Sequence, residues 1–315
     1  MKSEGRYKFA SREVALWLNN IFLVVATLIV LLGTLLPMIH KELGLGSISI
    51  GEPFFNKMFA ILLVPFAILM GIGPLLRWKQ NKWSMLQNKL LLSAVVSVVV
   101  TGAWLYSSYD VIAPITFIAT ALAVWIFVTT LIDLAAKVTI HKTIGEGFKR
   151  LGLSYWAMVL GHIGLAFVIA GVTLTSAYSV ERDVSMKPGD TVALNEYQYR
   201  FDGVKSIRGA NYSGHAGVVT VMKNDKQVTV LHAEKRRYDI GMQFMTEAAV
   251  DAGFTRDLYL ALGEQLSQGA WSLRIYHKPY VRWMWLGGIL ISLAGFLVLG
   301  DKRYRQKSTK QEASA

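Results

Sequence analysis

YWAMVLGHIGLAFVIAGVTLTSA, residues 155–177, runs for 23 residues without an aspartate, glutamate, lysine or arginine. About 20 apolar residues suffice for a helix to cross a hydrocarbon core, so this stretch reads as a transmembrane span. Five others have the same character: roughly 17–38, 55–76, 89–106, 111–132 and 281–299. The whole chain agrees with them. Of its 315 residues 53% are hydrophobic and only 17% charged, against about 25% charged in soluble domains. The first span begins too late and runs too long for a cleaved signal peptide, and no small-residue cleavage site follows it.

Lysine and arginine orient the spans. The N-terminal segment carries Lys2, Arg6, Lys8 and Arg12. The loop after the second span carries Arg77, Lys79, Lys82 and, at its edge, Lys89, the loop after the fourth Lys137, Lys142, Lys149 and Arg150, and the tail Lys302, Arg303, Arg305, Lys307 and Lys310. The intervening loops are poor in basic residues. Both termini are therefore expected in the cytoplasm, and residues 178–280 on the outer side. That segment holds 13 Lys+Arg and 12 Asp+Glu, a net of +1, so +11 of the total +12 lies elsewhere. The basicity is a topology signal and an attraction to anionic lipid, and it argues against nucleic acid as a partner.

The expected fold is an α-helical polytopic membrane protein of six transmembrane helices with a small, mostly-β domain between the last two. Residues 1–177 comprise an N-terminal segment and five spans; 178–280 form the outer domain, 281–299 the sixth span and 300–315 a basic tail. Strand patterns cover 191–201, 217–222, 227–238 and 271–281, by alternation of apolar and polar residues. Turns fall at Pro188-Gly189-Asp190 and Asn224-Asp225. Residues 255–266 fit a strand or a short helix equally, and a barrel or a sandwich would suit the whole.

His162 is the unusual residue of the opening stretch, an imidazole about four residues, or ~6 Å, from the centre of its span. It has two readings: a helix–helix hydrogen bond, worth ~0.6 kcal/mol, or a metal ligand, since imidazole is the commonest protein ligand of haem iron. Gly161 and Gly164 beside it would admit either a flat macrocycle or another helix. His40, His141, His215, His232 and His277 lack ligand spacing. There is no cysteine, hence no disulfide, thiolate site or CxxCH attachment sequence. No hydrolase or nucleotide-binding signature is present, and no paired, interrupted spans suggest a permease.

Several stretches, in order along nearly the whole chain, resemble the C-terminal half of the CcmF family of cytochrome c maturation proteins. They are LWLNNIFLV, LLGTLLPMIHKELGLGSISIGEPFFN, GHIGLAFVIAG, YSVERDV, MTEAAVDAGFTRDLYLALGE and WSLRIYHKPYVRWMWLGG. The resemblance implies cytochrome c-type biogenesis: part of a haem lyase of the bacterial inner membrane, with 178–280 periplasmic. Haem chaperone CcmE, CcmH and apocytochrome c are the implied partners, besides membrane lipid. It also implies a transmembrane haem b held by two histidines, of which His162 matches the second. The first ligand and the tryptophan-rich haem-docking segment, the WWD motif, belong to the family's N-terminal half and have no counterpart here. That half is expected from a separate chain or a missing portion, and this polypeptide is not expected to act alone. No catalytic residue is assigned, because the thiol nucleophile of thioether formation belongs to the apocytochrome. An alternative makes the outer domain a scaffold that recruits maturation subunits or apocytochrome, with no haem role of its own.

Overall fold

The computed structural model describes residues 11–76, 83–240 and 244–300. The basic residues Lys2, Arg6, Lys8, Arg77, Lys79 and Lys82 and those of the tail lie outside them. Seven helices and nine strands follow in the order α1 (Arg12–Glu42), α2 (Glu52–Ile72), α3 (Trp83–Ser108), α4 (Pro114–Val138), α5 (Ile144–Arg150), α6 (Leu153–Tyr178), β1 (Val180–Met186), β2 (Thr191–Leu194), β3 (Tyr197–Arg208), β4 (Tyr212–Lys223), β5 (Lys226–Tyr238), β6 (Phe244–Glu247), β7 (Ala249–Ala252), β8 (Arg256–Gln265), β9 (Trp271–Pro279) and α7 (Val281–Gly300). Two compact units result, one of residues 1–170 and 286–315 and the other Gly171–Trp285.

In the helical unit, six helices are long and apolar enough to cross a membrane by length and composition, all but the short α5. Four of them contain an expected span whole; α2 ends at Ile72, short of the expected 76, and α4 begins at Pro114, after the expected 111. α4 packs against α2 and α3, and α2 against α1. The buried face of α4 is built from Thr116, Ala119, Thr120, Ala123, Ile126, Thr129, Thr130 and Asp133. Their three- and four-residue spacing lays one stripe along the helix. Mostly small residues let neighbouring backbones approach closely, the usual basis of helix pairing in lipid. α4 continues six residues past the expected end of its span at 132, to Val138, which places Asp133 inside the helix.

α1 likewise continues beyond the expected limit at 38 to Glu42. His40, expected at the start of a loop, stands instead in the last helical turn, with Nδ1 2.9 Å from the Gly46 carbonyl.

The second unit is a β-sandwich. One antiparallel sheet has the order β1-β9-β8-β7, the other β2-β3-β4-β5-β6. Alternation builds the core: Tyr197, Tyr199 and Phe201 of β3 face inward, as do Leu258, Leu260 and Leu262 of β8 and Leu273 and Ile275 of β9. Residues 191–201, expected as one strand, are a hairpin that turns at Asn195, whose φ is +52°. Residues 255–266 are a strand, β8, because β9 supplies an antiparallel partner in register from Arg256↔Pro279 to Leu262↔Leu273. Asn224 and Asp225 both have positive φ, 50° and 59°, as the twist of a two-residue hairpin requires.

His277 closes one end of this core. Its ring lies 6.0 Å from that of Tyr197, and Nδ1 is buried without a hydrogen-bond partner among the described residues. Burial pushes its pKa below 6.5; the Glu196 carboxylate opposes that shift and the Arg256 guanidinium adds to it. The unfolded chain therefore binds the extra proton first, and the sandwich loses stability as pH falls below 6.5. The protection factors of β3, β8 and β9 amides in the full chain in micelles, with the base catalysis of intrinsic exchange divided out, should fall between about pH 7.5 and about pH 5.5. His277→Phe should shrink that difference, and equal protection of the wild type at both values would contradict it.

Candidate functional site: His162 on α6

The imidazole of His162 is held by its own helix. Nδ1 lies 2.8 Å from the carbonyl oxygen of Met158, one turn earlier. A carbonyl only accepts, so Nδ1 carries the proton and donates it there. Nε2 is left with an in-plane lone pair. A ligating histidine is commonly fixed in this way: a hydrogen bond from the other ring nitrogen sets the tautomer and raises the basicity of the ligating one. The ring is half-buried, and the Met70 backbone of α2 is a second polar neighbour.

The flanking glycines serve a different surface. A Cβ on Gly164 would lie 2.8 Å from the Gly287 carbonyl oxygen and 2.9 Å from Ile291 Cγ1, and one on Gly161 would lie 3.8 Å from Ala294 Cβ. Of the two occupants open to these glycines, a helix, α7, takes the place. With about 100° between successive residues, His162 points well away from that contact.

Two turns before His162 on the same face, the Tyr155 hydroxyl donates to Asp133 Oδ2 of α4 at 2.7 Å. Lys137 Nζ lies 3.5 Å from the same carboxylate and 3.9 Å from the centre of the Tyr155 ring. Asp133 is 9% exposed, a buried carboxylate inside a helix long enough to span lipid. Such residues are rare and are paired when they occur. It lies one residue beyond the expected end of the span at 132, on the part of α4 that continues past it. The signal was present, since Asp133 continues the stripe of Ala123, Ile126 and Thr130 at spacings of three and four. Asp133, Lys137 and Tyr155 tie α4 to α6 below His162, and so hold the helix that presents the imidazole.

The remaining histidines are engaged elsewhere or exposed. His215 packs against Trp271, ring centres 5.4 Å apart; His232 is exposed on β5 and His141 is half-buried in the loop after α4. His162 is thus the imidazole carried midway along a long helix of the apolar unit, fixed at Nδ1 by the Met158 carbonyl.

Comparison with known proteins shows what the chain is similar to. Residues 177–279 match a family model described as the CcmF C-terminal beta-sandwich. Over 306 residues the chain is 47% identical to the cytochrome c-type biogenesis protein CcmF of Escherichia coli (strain K12), covering 96% of this chain and 46% of that protein. It is 42% identical over 305 residues to the protein of the same name from Haemophilus influenzae, covering 97% of this chain and 47% of that one. Among solved structures, "Cytochrome c Heme Lyase CcmF" is similar with a TM-score of 0.71 at 20% identity, over 93% of this chain and 46% of that one; that likeness is one of fold. The chain spans about half the length of the curated relatives it matches.

Proposed function

The chain is homologous to the C-terminal half of CcmF, and on that premise we propose that it serves in cytochrome c biogenesis as the C-terminal part of a membrane haem lyase. His162 is the residue of this chain that would hold haem b, through Nε2, as one of two axial ligands. The observation that carries this reading is the Nδ1–Met158 hydrogen bond, which fixes the ring and makes Nε2 the nitrogen whose lone pair can coordinate. The second ligand is assigned to the N-terminal half of the family. When bound, haem would supply a one-electron centre, whose potential depends on its axial ligands and the polarity around them.

The protein's own share of the chemistry is orientation and exclusion of water. The Met158 carbonyl fixes the imidazole tautomer. Asp133 and Tyr155 hold α4 against α6, and the close Gly164–Gly287 contact holds α6 against α7. The nucleophile that forms the thioether is a cysteine of the apocytochrome, so no residue of this chain is assigned a catalytic step. The distribution of lysine and arginine supports cytoplasmic termini and a periplasmic sandwich in a bacterial inner membrane. There the sandwich would meet CcmE, CcmH and apocytochrome c, the partners that the family implies.

The proposal is tested by producing the chain with and without a CcmF N-terminal half and recording reduced-minus-oxidised absorbance in detergent. The complex should show the sharp bands of a six-coordinate b-type haem, and the chain alone should not. A complex without those bands would refute the reading.

A further inference from the structure

We propose that the pocket between the end of α4 and α5 binds an anionic phospholipid, one acyl chain inside it and the phosphate at Lys142, Lys149 and Arg150. The cavity measures about 340 Å³, within the range of about 300–1,000 Å³ typical of small-molecule sites. Leu131, Leu134, Ala135, Val138 and Thr139 form one wall and Ile144 and Phe148 the other; the Thr139 hydroxyl is spent on the Ala135 carbonyl, which leaves a lining suited to hydrocarbon. Its mouth continues into exposed apolar side chains, Ile140 at 79% and Ile144 at 66% exposure. These stand just beyond the last turn of a helix long and apolar enough to cross a membrane, where the surrounding medium changes from acyl chains to headgroups.

The pocket is built rather than incidental. A Cβ on Gly147 would overlap the Val138 carbonyl oxygen, so glycine is needed for α5 to lie this close to α4. Thr143 caps α5 by accepting from the Glu146 amide at 3.2 Å. Phe148 stacks on Trp156 of α6, ring centres 5.7 Å apart and planes 13° from parallel. Both walls are thereby fixed to spanning helices.

Charge selects the lipid. Residues 139–152 contain Lys142, Lys149 and Arg150 against Glu146 alone, a net of +2. All three cations are exposed, and none has an ion-pair partner among the described residues. Lys137 differs, being committed to Asp133. An apolar slot walled by the same short helix that carries Lys149 and Arg150, with Lys142 two residues before it, at a membrane boundary fits an acyl chain joined to a phosphate, and a zwitterionic headgroup would satisfy those cations less well.

The full chain in neutral detergent is titrated by native mass spectrometry with dioleoylphosphatidylglycerol and, separately, with dioleoylphosphatidylcholine. The anionic lipid should bind at least about ten-fold more tightly, each basic side chain contributing roughly five-fold. Replacing all three together (Lys142→Gln, Lys149→Gln, Arg150→Gln) should bring the two lipids to near-equal affinity. These side chains are exposed, so folding is not at risk. Ala135→Phe should fill the slot and weaken both lipids alike; if that variant does not fold, Ile144→Asn places an uncharged polar group at the mouth and should do the same. Preference for the anionic lipid surviving the triple replacement would overturn the proposal, as would full affinity in the slot variants. Binding of sn-glycerol 3-phosphate as tight as that of the lipid would also overturn it, by showing a phosphate site without an acyl chain.

Discussion

Replacing His162 with alanine, in the chain produced together with an N-terminal half, should remove the six-coordinate haem rather than trim its amount. Changes that only disturb the orientation of a ligand cost about 10–100-fold in affinity, and deleting the ligand should cost at least that. The competing account makes His162 a polar residue satisfied within its own helix by the Met158 carbonyl. On that account the substitution removes one hydrogen bond, worth ~0.6 kcal/mol in a membrane helix, and leaves haem bound. Haem per mole of complex, measured as the pyridine haemochrome, separates the two. Met158 loses only a side-chain donor to its carbonyl, so helix content should be unchanged and the loss of haem attributable to the ligand.

Phe201→Ala should have the largest effect on the outer domain. Phe201 is fully buried at the centre of the sandwich, on the β3 face that also carries Tyr197 and Tyr199. Its backbone pairs with the turn before β2, Gly189 N–H donating to its carbonyl at 2.7 Å and its own N–H to Asp190 O at 2.9 Å. A cavity there would be lined by the side chains of both sheets, which the strand ladders prevent from collapsing inward. Buried Phe→Ala replacements cost about 3–5 kcal/mol, a large part of the 5–15 kcal/mol that typically holds a domain together. Amide exchange of β3, β4, β8 and β9 in the full chain should accelerate accordingly. A change below about 1 kcal/mol would mean that the core is packed differently.

How far the fold could be read depended on which physical constraint wrote each element. Lipid demands long uninterrupted apolar runs, so the six spans stand out without reference to neighbours. Their ends do not, because a helix continues into the headgroup region on polar residues as easily as a loop begins there. Asp133 was missed for that reason, although its place on the α4 stripe was visible. In the sandwich, alternation marked the long strands, but Leu258, Leu260 and Leu262 fit a period of two while Leu258, Ala261 and Leu262 fit a helix. Only pairing with β9 decides between them. The hairpin at Asn195 depended on a single residue taking positive φ, which asparagine tolerates without requiring.

His162 was legible as an anomaly and not as a site. Its tautomer rests on a carbonyl four residues earlier, which any helix offers to any histidine. The role of Gly161 and Gly164 rests on Gly287, Ile291 and Ala294, more than a hundred residues away in sequence. What the structure adds is direction: the glycines are spent on α7, and the imidazole faces elsewhere.

Coordination of haem iron by Nε2 of His162 is tested most directly by near-infrared magnetic circular dichroism of the oxidised complex with the N-terminal half. Wild type should show the charge-transfer band of bis-imidazole iron, and His162→Met should move it to the position of histidine–methionine ligation. An unchanged band in His162→Met would show that the iron takes both imidazoles from elsewhere, and would contradict the assignment.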